Sequence, residues 1–150
     1  MPNSRLLGHY ILDEYGDPYP IEDLLKWADF FSDLTKRRVG ETTFMDPDIR
    51  ISTVFLGLDH EFGGGPPLLF ETLVESPDPM YDDVVARYQT WEGALEGHLY
   101  YTQTLKELFP GAKNILEDIR PKPVKPEDPI IRKTFWERLR SDELIVAASS

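Results

Sequence analysis

The chain has 150 residues, 41% of them hydrophobic and 29% charged, a composition typical of one folded domain. It contains no cysteine, so disulfides, thiolate catalysis and cysteine-based zinc sites are excluded. The net charge of −11 disfavours conventional nucleic-acid binding, because an acidic surface repels the phosphate backbone. No apolar stretch reaches the roughly eighteen residues of a transmembrane helix, so we expect no membrane partner.

The N-terminal segment predicts a strand, a turn and a helix. Residues 9–12 fit a short strand, and residues 13–18 form a turn in which Gly16 can take a positive φ. Residues 21–36 carry apolar side chains at helical spacing, and the basic residues that follow suit the helix dipole, so we predict a first helix there. Its apolar stripe consists of Leu24, Trp27, Ala28, Phe31 and Leu34.

Three segments rich in β-branched and aromatic residues follow, at residues 39–44, 49–57 and 68–74. Strands this close in sequence usually pair antiparallel, so we predict an antiparallel meander. The middle segment is apolar on both faces of its pleat around Phe55, which predicts a central position in the sheet. Residues 81–88 fit either a short helix or a further strand.

A second long helix is predicted from Trp91 to about Phe109. Thr90 is a favourable N-cap, and Pro110 with Gly111 ends the helical pattern. The predicted fold is therefore α+β, with a small antiparallel sheet of three to five strands packed by two main helices.

The C-terminal part of the chain differs in composition from the rest. Residues 120–129 contain four prolines and cannot be helical, so we interpret them as an extended linker. Residues 130–150 predict a short basic amphipathic helix with Ile131, Phe135 and Leu139 on its apolar face. The predicted organisation is a core domain over residues 1–119, the linker, and a helical arm that docks on its own core or on a neighbour.

The long loop over residues 58–67 is the first candidate functional site. A simple chain reversal needs about two to five residues, whereas this loop has about ten and contains three glycines and two prolines. Gly63, Gly64 and Gly65 resemble an anion cradle, but no phosphate-binding fingerprint surrounds them. The favoured interpretation is a wide turn, and contact with a ligand or partner through Asp59, His60 and these glycines is the second.

A second candidate site combines carboxylates and histidines from separate elements. If the second helix covers the strands, His98 approaches Asp59, His60 or Glu71. These four side chains are a sufficient ligand set for zinc, iron or manganese, and His60, Glu71 and His98 are candidates for acid–base catalysis. The structural alternative makes His98 a core histidine and Asp59 an acceptor of backbone N–H bonds. We expect no cofactor, with a divalent metal ion as the alternative.

Arg87 and Trp91 stand at the start of the second helix, beside Tyr88. An arginine with two aromatic rings can form a stacking surface for a base or nucleotide, or an ordinary packed corner. Arg87 and Trp91 are therefore candidate ligand- or partner-binding residues.

Two sequence strings carry a resemblance to a known group of proteins. One runs from Ser52 to Thr72 and contains Leu-Asp-His and Phe-Gly-Gly-Gly-Pro-Pro; the other, Arg-Tyr-x-Thr-Trp-x-x-Ala-x-x-Gly-His, ends at His98. With the N-terminal strand, turn and Trp-containing helix, the chain resembles small uncharacterised bacteriophage and prophage proteins over about residues 9–108. The resemblance implies a phage origin and assigns no activity. Its motif positions include Asp59, His60, Gly63, Gly64, Gly65, Glu71, Arg87, Trp91 and His98.

Three functional hypotheses follow from these residues and the resemblance. We expect a small phage-type accessory protein without enzymatic activity, which self-associates and contacts a ligand or a host or phage partner through residues 58–67. The alternatives are a metal-dependent hydrolase or metal-binding protein, and a structural component of a phage particle. Because the N-terminal residues lack the apolar core of a signal peptide, we expect the cytoplasm of the bacterial host, with the virion as the alternative.

Overall fold

The computed structural model describes residues 8–125. Two sheets and three α-helices make up this part of the chain, which confirms the predicted α+β class. The small sheet pairs β1 (Tyr10–Leu12) with β2 (Pro18–Pro20). The main sheet has five antiparallel strands in the order β6-β5-β4-β3-β7. These are β3 (Arg38–Met45), β4 (Ile49–Phe55), β5 (Phe70–Glu75), β6 (Asp83–Tyr88) and β7 (Lys113–Ile119).

One carboxylate closes the hairpin between β1 and β2. Asp13 Oδ1 accepts hydrogen bonds from the backbone N–H groups of Tyr15 and Asp17 at 2.8 and 2.9 Å. Gly16 has a φ of +78°, a left-handed conformation that glycine adopts without a steric penalty. The strand and turn predicted for residues 9–18 are therefore confirmed, and β2 adds a pairing that the sequence did not predict.

The first predicted helix is divided into two. α1 (Leu24–Ser32) and α2 (Leu34–Arg37) are separated by Asp33, whose Oδ1 accepts a hydrogen bond from the N–H of Thr35 and starts the second helix. No residue of Leu24–Ser32 is buried, and Leu24 itself is 58% exposed. The predicted apolar stripe is therefore only partly covered within the described chain.

The predicted meander is confirmed, with β4 at the centre of the main sheet. Residues 81–88 fitted either a helix or a strand, and the structure has a strand there. A 3₁₀ turn over Pro79–Tyr81 leads into β6, which pairs antiparallel with β5. β7 pairs with β3 on the opposite edge of the sheet, where no strand was predicted.

α3 (Trp91–Leu108) confirms the second predicted helix. The Thr90 hydroxyl accepts a hydrogen bond from Gly93 N–H at 3.1 Å, as the predicted N-cap requires. The helix contacts β3, β4, β5 and β6 on one face of the sheet. We call this the inner face; it carries Phe44, Thr53 and Phe70, and the alternate side chains of the same strands form the outer face.

Two apolar clusters lie between α3 and the inner face. The first contains Leu12, Val39, Phe55, Leu69, Phe70, Trp91 and Ala94. The second contains Phe44, Ile49, Ile51, Val74 and Leu105. Along β4 the inner residues are Ile49, Ile51, Thr53 and Phe55, so a threonine stands between the two clusters. This band of buried polar side chains, described below, contains Thr42, Thr53, Thr72 and His98.

Residues 120–125 lie against the core instead of extending away from it. Arg120 N–H donates to the Val39 carbonyl at 2.9 Å, and the Trp91 indole N–H donates to the Arg120 carbonyl at 3.0 Å. The predicted C-terminal helix and the end of the linker, residues 126–150, lie outside the described residues. Within residues 8–125, no helix is long and apolar enough to cross a membrane.

Candidate functional site

The loop over residues 58–67, which we call the glycine loop, is fixed by Asp59. Its Oδ1 accepts hydrogen bonds from Glu61 N–H at 2.8 Å and from Leu68 N–H at 3.1 Å, so one carboxylate joins the two ends of the loop. Asp59 N–H donates to the Gly8 carbonyl, which ties the loop to the N-terminal segment. Asp59 therefore accepts backbone N–H bonds, as the structural alternative to a metal ligand predicted.

His60 is also used to hold the loop. Its backbone N–H donates to the Leu68 carbonyl at 3.0 Å, and its Nδ1 forms a 2.9 Å hydrogen bond with the Leu58 carbonyl. Because the carbonyl can only accept, Nδ1 is the donor in this contact. His60 therefore keeps one nitrogen for an external contact.

The glycines form the exposed end of the loop. Gly64 has a φ of +84°, and Gly63 N–H donates to the Glu61 carboxylate at 2.5 Å. Gly63, Gly64 and Gly65 are all exposed. Since the Glu61 carboxylate already occupies the N–H of Gly63, this end of the loop does not resemble an anion cradle.

Phe62 is the residue of this loop that the sequence reasoning missed. It lies between Glu61 and the glycines, and 71% of its surface is exposed. Its ring lies 6.3 Å from the His60 ring, centroid to centroid. The signal was present in the sequence: a single phenylalanine among polar residues and glycines has no apolar row to join, so it is a candidate for external contact.

The base of the loop rests on α1. Gly57 has a φ of +76°, and a Cβ at this position would lie 3.1 Å from the Phe31 ring and 3.2 Å from Trp27 Nε1. The Trp27 indole N–H donates to the Gly57 carbonyl at 2.9 Å. The Trp27 and Phe31 rings stack at 4.7 Å. The half-buried face of α1 thus supports the glycine loop, which explains why these aromatic residues are present on a helix with little burial.

His98 lies away from this loop, under α3 and against the sheet. Its Nε2 is 2.9 Å from Thr42 Oγ1, and its Nδ1 is 2.8 Å from Thr53 Oγ1. A neutral imidazole has one N–H and one lone pair, and a hydroxyl can donate or accept, so either tautomer satisfies both contacts. His98 is fully buried, and this burial lowers its pKa from 6.5 to about 4 despite the smaller opposing effects of Glu117 and Glu41.

A missing side chain makes room for the imidazole. Gly40 pairs directly with Thr53 across β3 and β4, and a Cβ on Gly40 would lie 3.0 Å from three atoms of the His98 ring. The ring therefore occupies the space above Gly40, between the Thr53 and Thr42 hydroxyls. In this position the histidine fills a gap in the inner row of side chains.

The polar band continues from Thr53 towards the edge of the sheet. Thr53 Oγ1 is 2.7 Å from Thr72 Oγ1, which in turn is 3.0 Å from the Tyr88 hydroxyl. Gly97 makes room for this hydroxyl, because a Cβ there would lie 1.9 Å from it. The sequence reasoning missed the three threonines, whose signal is one polar residue in the apolar inner row of each strand.

Glu71 lies on the outer face of the sheet, because its neighbours Phe70 and Thr72 point inward. Its Oε2 forms an ion pair with Arg87 Nε at 3.2 Å. Glu71 and His98 are therefore on opposite sides of the sheet, and the expected meeting of His98 with Asp59, His60 or Glu71 does not occur. Within residues 8–125, no group of three His, Asp or Glu side chains is placed to hold a metal ion.

Arg87 and Trp91 do not form a common stacking surface. Arg87 pairs with Glu71 on the outer face, whereas Trp91 is 6% exposed and packs edge-on against Phe70 in the first apolar cluster. Trp91 also contacts the turn at Gly16, where a Cβ would lie 3.1 Å from its ring. Trp91 is therefore a packed core residue, as the alternative to a stacking surface predicted.

Comparison with known proteins adds no family to this description. No protein-family model matches the chain. Searches of curated proteins and of solved structures likewise find no match.

Proposed function

We propose that the protein is a phage-type accessory protein that binds a partner protein through the glycine loop, with Phe62 as the anchor residue. The observation that carries this proposal is the 71% exposure of Phe62 on a loop whose backbone is held by Asp59, His60 and the Trp27–Gly57 contact. Exposed aromatic residues on ordered loops are typical anchors of protein interfaces.

The fixed loop favours binding because little conformational entropy remains to be lost. Ordering a flexible side chain or loop opposes association, whereas a loop already held by several hydrogen bonds avoids most of that cost. Burial of a phenylalanine side chain in a partner pocket contributes roughly 1.5–3 kcal/mol. The exposed glycines beside Phe62 let the partner surface approach the ring closely.

A protein partner fits this loop better than a small molecule does. Small ligands bind in concave pockets that bury most of their surface, whereas Phe62 projects from an exposed loop. Three cavities of the described chain, of about 350 to 430 Å³, are lined by other segments. The partner is a host or phage protein or a second copy of this chain, and both satisfy the same chemistry of a hydrophobic pocket.

The test compares Phe62→Ala with Met80→Ala. Met80 is 76% exposed on the 3₁₀ turn, so its removal deletes a similar apolar surface at a different place. The wild type is used to capture proteins from a bacterial extract, and mass spectrometry measures the amount of each. We expect Phe62→Ala to reduce these amounts about tenfold or more and Met80→Ala to leave them unchanged. Sedimentation velocity reports the same difference if the partner is a second copy.

Stability measurements separate loss of binding from loss of folding. Because Phe62 is exposed, Phe62→Ala should leave the thermal unfolding midpoint unchanged. If the two variants capture the same proteins and have the same self-association, the glycine loop is not the contact surface and the proposal fails.

A further inference from the structure

Residues 121–125, which we call the strap, lie across an acidic surface of the core. The strap follows Arg120, whose carbonyl accepts the Trp91 indole N–H at 3.0 Å. In other proteins, proline-rich segments bind in grooves lined by aromatic side chains. The structure therefore places this proline-containing segment directly beside Trp91.

Two lysines of the strap bind the turn between β1 and β2. Lys122 Nζ lies 2.7 Å from Asp17 Oδ1 and 3.2 Å from Glu92 Oε1, and Lys125 Nζ lies 2.9 Å from Asp17 Oδ2. An extended proline-rich chain repeats every three residues, so side chains at positions 122 and 125 fall on the same side. Val124, between them, is 69% exposed. The pattern of contacts follows this threefold spacing.

The electrostatics agree with the geometry. Hydrogen bonds from Lys122 and then from Lys125 are the leading causes that lower the pKa of Asp17, and the Asp17 carboxylate raises the pKa of Lys122. The Asp17 carboxylate therefore forms ion pairs with both lysine ammonium groups. Such a centre of negative charge selects a doubly basic segment over a neutral one.

The acidic surface also has an apolar part. Gly16 brings the turn close to Trp91, and a Cβ at position 16 would lie 3.1 Å from the indole and 3.6 Å from Lys122 Cγ. Next to Pro123, a cavity of about 390 Å³ is lined in part by Leu12, Phe30 and Trp91. The strap thus leaves a cavity beside Pro123 that is apolar over most of its surface, although Asp13, Glu14 and Lys36 also line it, and a larger side chain would fit there.

We call the surface formed by Gly16, Asp17, Trp91 and Glu92 the acidic groove. We propose that the acidic groove binds an extended segment of a partner protein that contains lysine and proline. The strap occupies the groove until this partner displaces it. The strap itself defines the chemistry: two lysines three residues apart, separated by proline and a small apolar residue. The acidic groove lies on the side of Trp91 and not on the glycine loop, so this second contact is independent of Phe62.

Displacement of the strap is feasible because its contacts are weak and local. The lysine ion pairs are partly exposed, and exposed pairs of this kind are readily broken and screened by salt. The strap competes from within the same chain at an effective concentration in the millimolar range. A partner segment that also fills the apolar cavity has an additional contact that the strap lacks.

The test uses the full chain and a fluorescent synthetic peptide with the sequence of residues 119–126. Lys122→Glu/Lys125→Glu reverses the strap charges and opens the groove. We expect the peptide to bind this variant about tenfold or more tightly than the wild type, because the internal competitor is removed. Addition of Asp17→Asn should abolish most of that gain, whereas Asp48→Asn, a distant acidic residue in the turn between β3 and β4, should preserve it.

A second measurement covers the case in which the double variant does not fold, as judged by circular dichroism. In the wild type, peptide at millimolar concentration should shift the Trp91 indole N–H resonance, and Asp17→Asn should reduce that shift. A peptide that binds neither protein, or binds equally with and without Asp17→Asn, overturns the proposal. A wild-type dimer that the lysine substitutions convert to monomer also overturns it, because the groove then exchanges straps between two copies.

Discussion

The two faces of the main sheet satisfy their polar side chains in opposite ways. On the inner face, Thr53, Thr72 and His98 are buried and joined by hydrogen bonds of 2.7 and 2.8 Å. On the outer face, Arg50 bridges Glu41 at 2.9 Å and Glu75 at 3.3 Å with its side chain 40% exposed. Successive residues of the same strands supply both arrangements, because side chains alternate between faces.

The two faces differ in what the loss of a polar contact costs. A buried hydroxyl that loses its partner has no water to replace it, so its loss leaves an unsatisfied group. A charged side chain that loses its partner at the surface is solvated instead. The inner band should therefore govern stability and the position of α3, and the outer ion pairs should add little.

The largest expected effect is that of Thr53→Val. The substitution keeps the shape of the side chain but removes the hydroxyl that bridges His98 Nδ1 and Thr72 Oγ1. We expect the free energy of unfolding to fall by about 3 kcal/mol, since two buried groups lose a partner. Urea denaturation monitored by circular dichroism measures this loss.

Thr102→Val is the matched control for that substitution. Thr102 Oγ1 is the buried side-chain oxygen of the described residues that has no hydrogen-bond partner, and Thr102 lies one helical turn after His98. The same chemical change should here leave stability unchanged or raise it by about 1 kcal/mol. Equal losses for the two variants would mean that the hydroxyl network does not hold the inner face together.

A second way to test the inner face is acidification. The pKa of His98 is lowered by burial to about 4 in the folded state and is 6.5 when unperturbed, so the unfolded state binds more protons between these values. Stability is therefore retained above about pH 6.5 and falls as the pH decreases towards 4. Between pH 7 and 5, His98 should lower the free energy of unfolding by about 2 kcal/mol.

The comparison variant is His98→Asn, which removes the titration and keeps a polar side chain. Its pH dependence between 7 and 5 should be weaker than that of the wild type by the same amount. The NMR titration of the His98 Cε1–H in the wild type gives an independent check. A midpoint above pH 6 would contradict the burial of a neutral imidazole against Thr42 and Thr53.

Among the substitutions that remove a polar contact, Arg50→Ala on the outer face should cost the least stability. Glu41 keeps a second partner, because Arg38 Nε lies 3.3 Å from its Oε2. We expect a loss below about 1 kcal/mol that decreases further in about 1 M NaCl, where exposed pairs are screened. The loss for Thr53→Val should not depend on salt. A salt-independent loss for Arg50→Ala comparable with that of Thr53→Val would remove the distinction between the faces.

The parts of the fold that depend on local pattern were predictable. The meander, the central β4, the turn at Gly16 and the Thr90 cap of α3 follow from alternation, glycine content and capping chemistry. Each of these signals acts over a few residues. Sequence alone was therefore sufficient for the class of fold and for most of the strands.

The sequence predictions failed at two elements, where the local pattern of residues did not determine the structure. The apolar stripe over residues 21–36 predicted one helix. In the structure, the Asp33 carboxylate accepts a hydrogen bond from the Thr35 N–H, and this cap divides the helix into α1 and α2. β7 was not predicted because Lys113, Ile115 and Leu116 are exposed at a sheet edge and show no clear alternation. Its pairing with β3 supplies the hydrogen bonds that define it as a strand.

For the candidate sites, the sequence did not show which side chains contact one another. The structural role of Asp59 followed from its position at the start of a long loop. His98 is a core histidine, as the structural alternative had it, but its threonine partners did not follow from the sequence, because the space above Gly40 that accepts its ring exists only when β3 and β4 are paired. The predicted grouping with Glu71 was wrong for the same reason, since the sheet separates the two side chains.

Four properties follow from the sequence alone: the α+β class, the acidic character, the loop at residues 58–67 and the Lys-Pro segment after residue 120. Which side chains contact one another depends instead on how the strands and helices pack. The fold brings His98 to Thr42 and Thr53, leaves Phe62 exposed on a fixed loop, and pairs Lys122 with Asp17. The physical reason is that hydrogen bonds and burial depend on distances between segments far apart in the chain, which spacing within one segment does not encode.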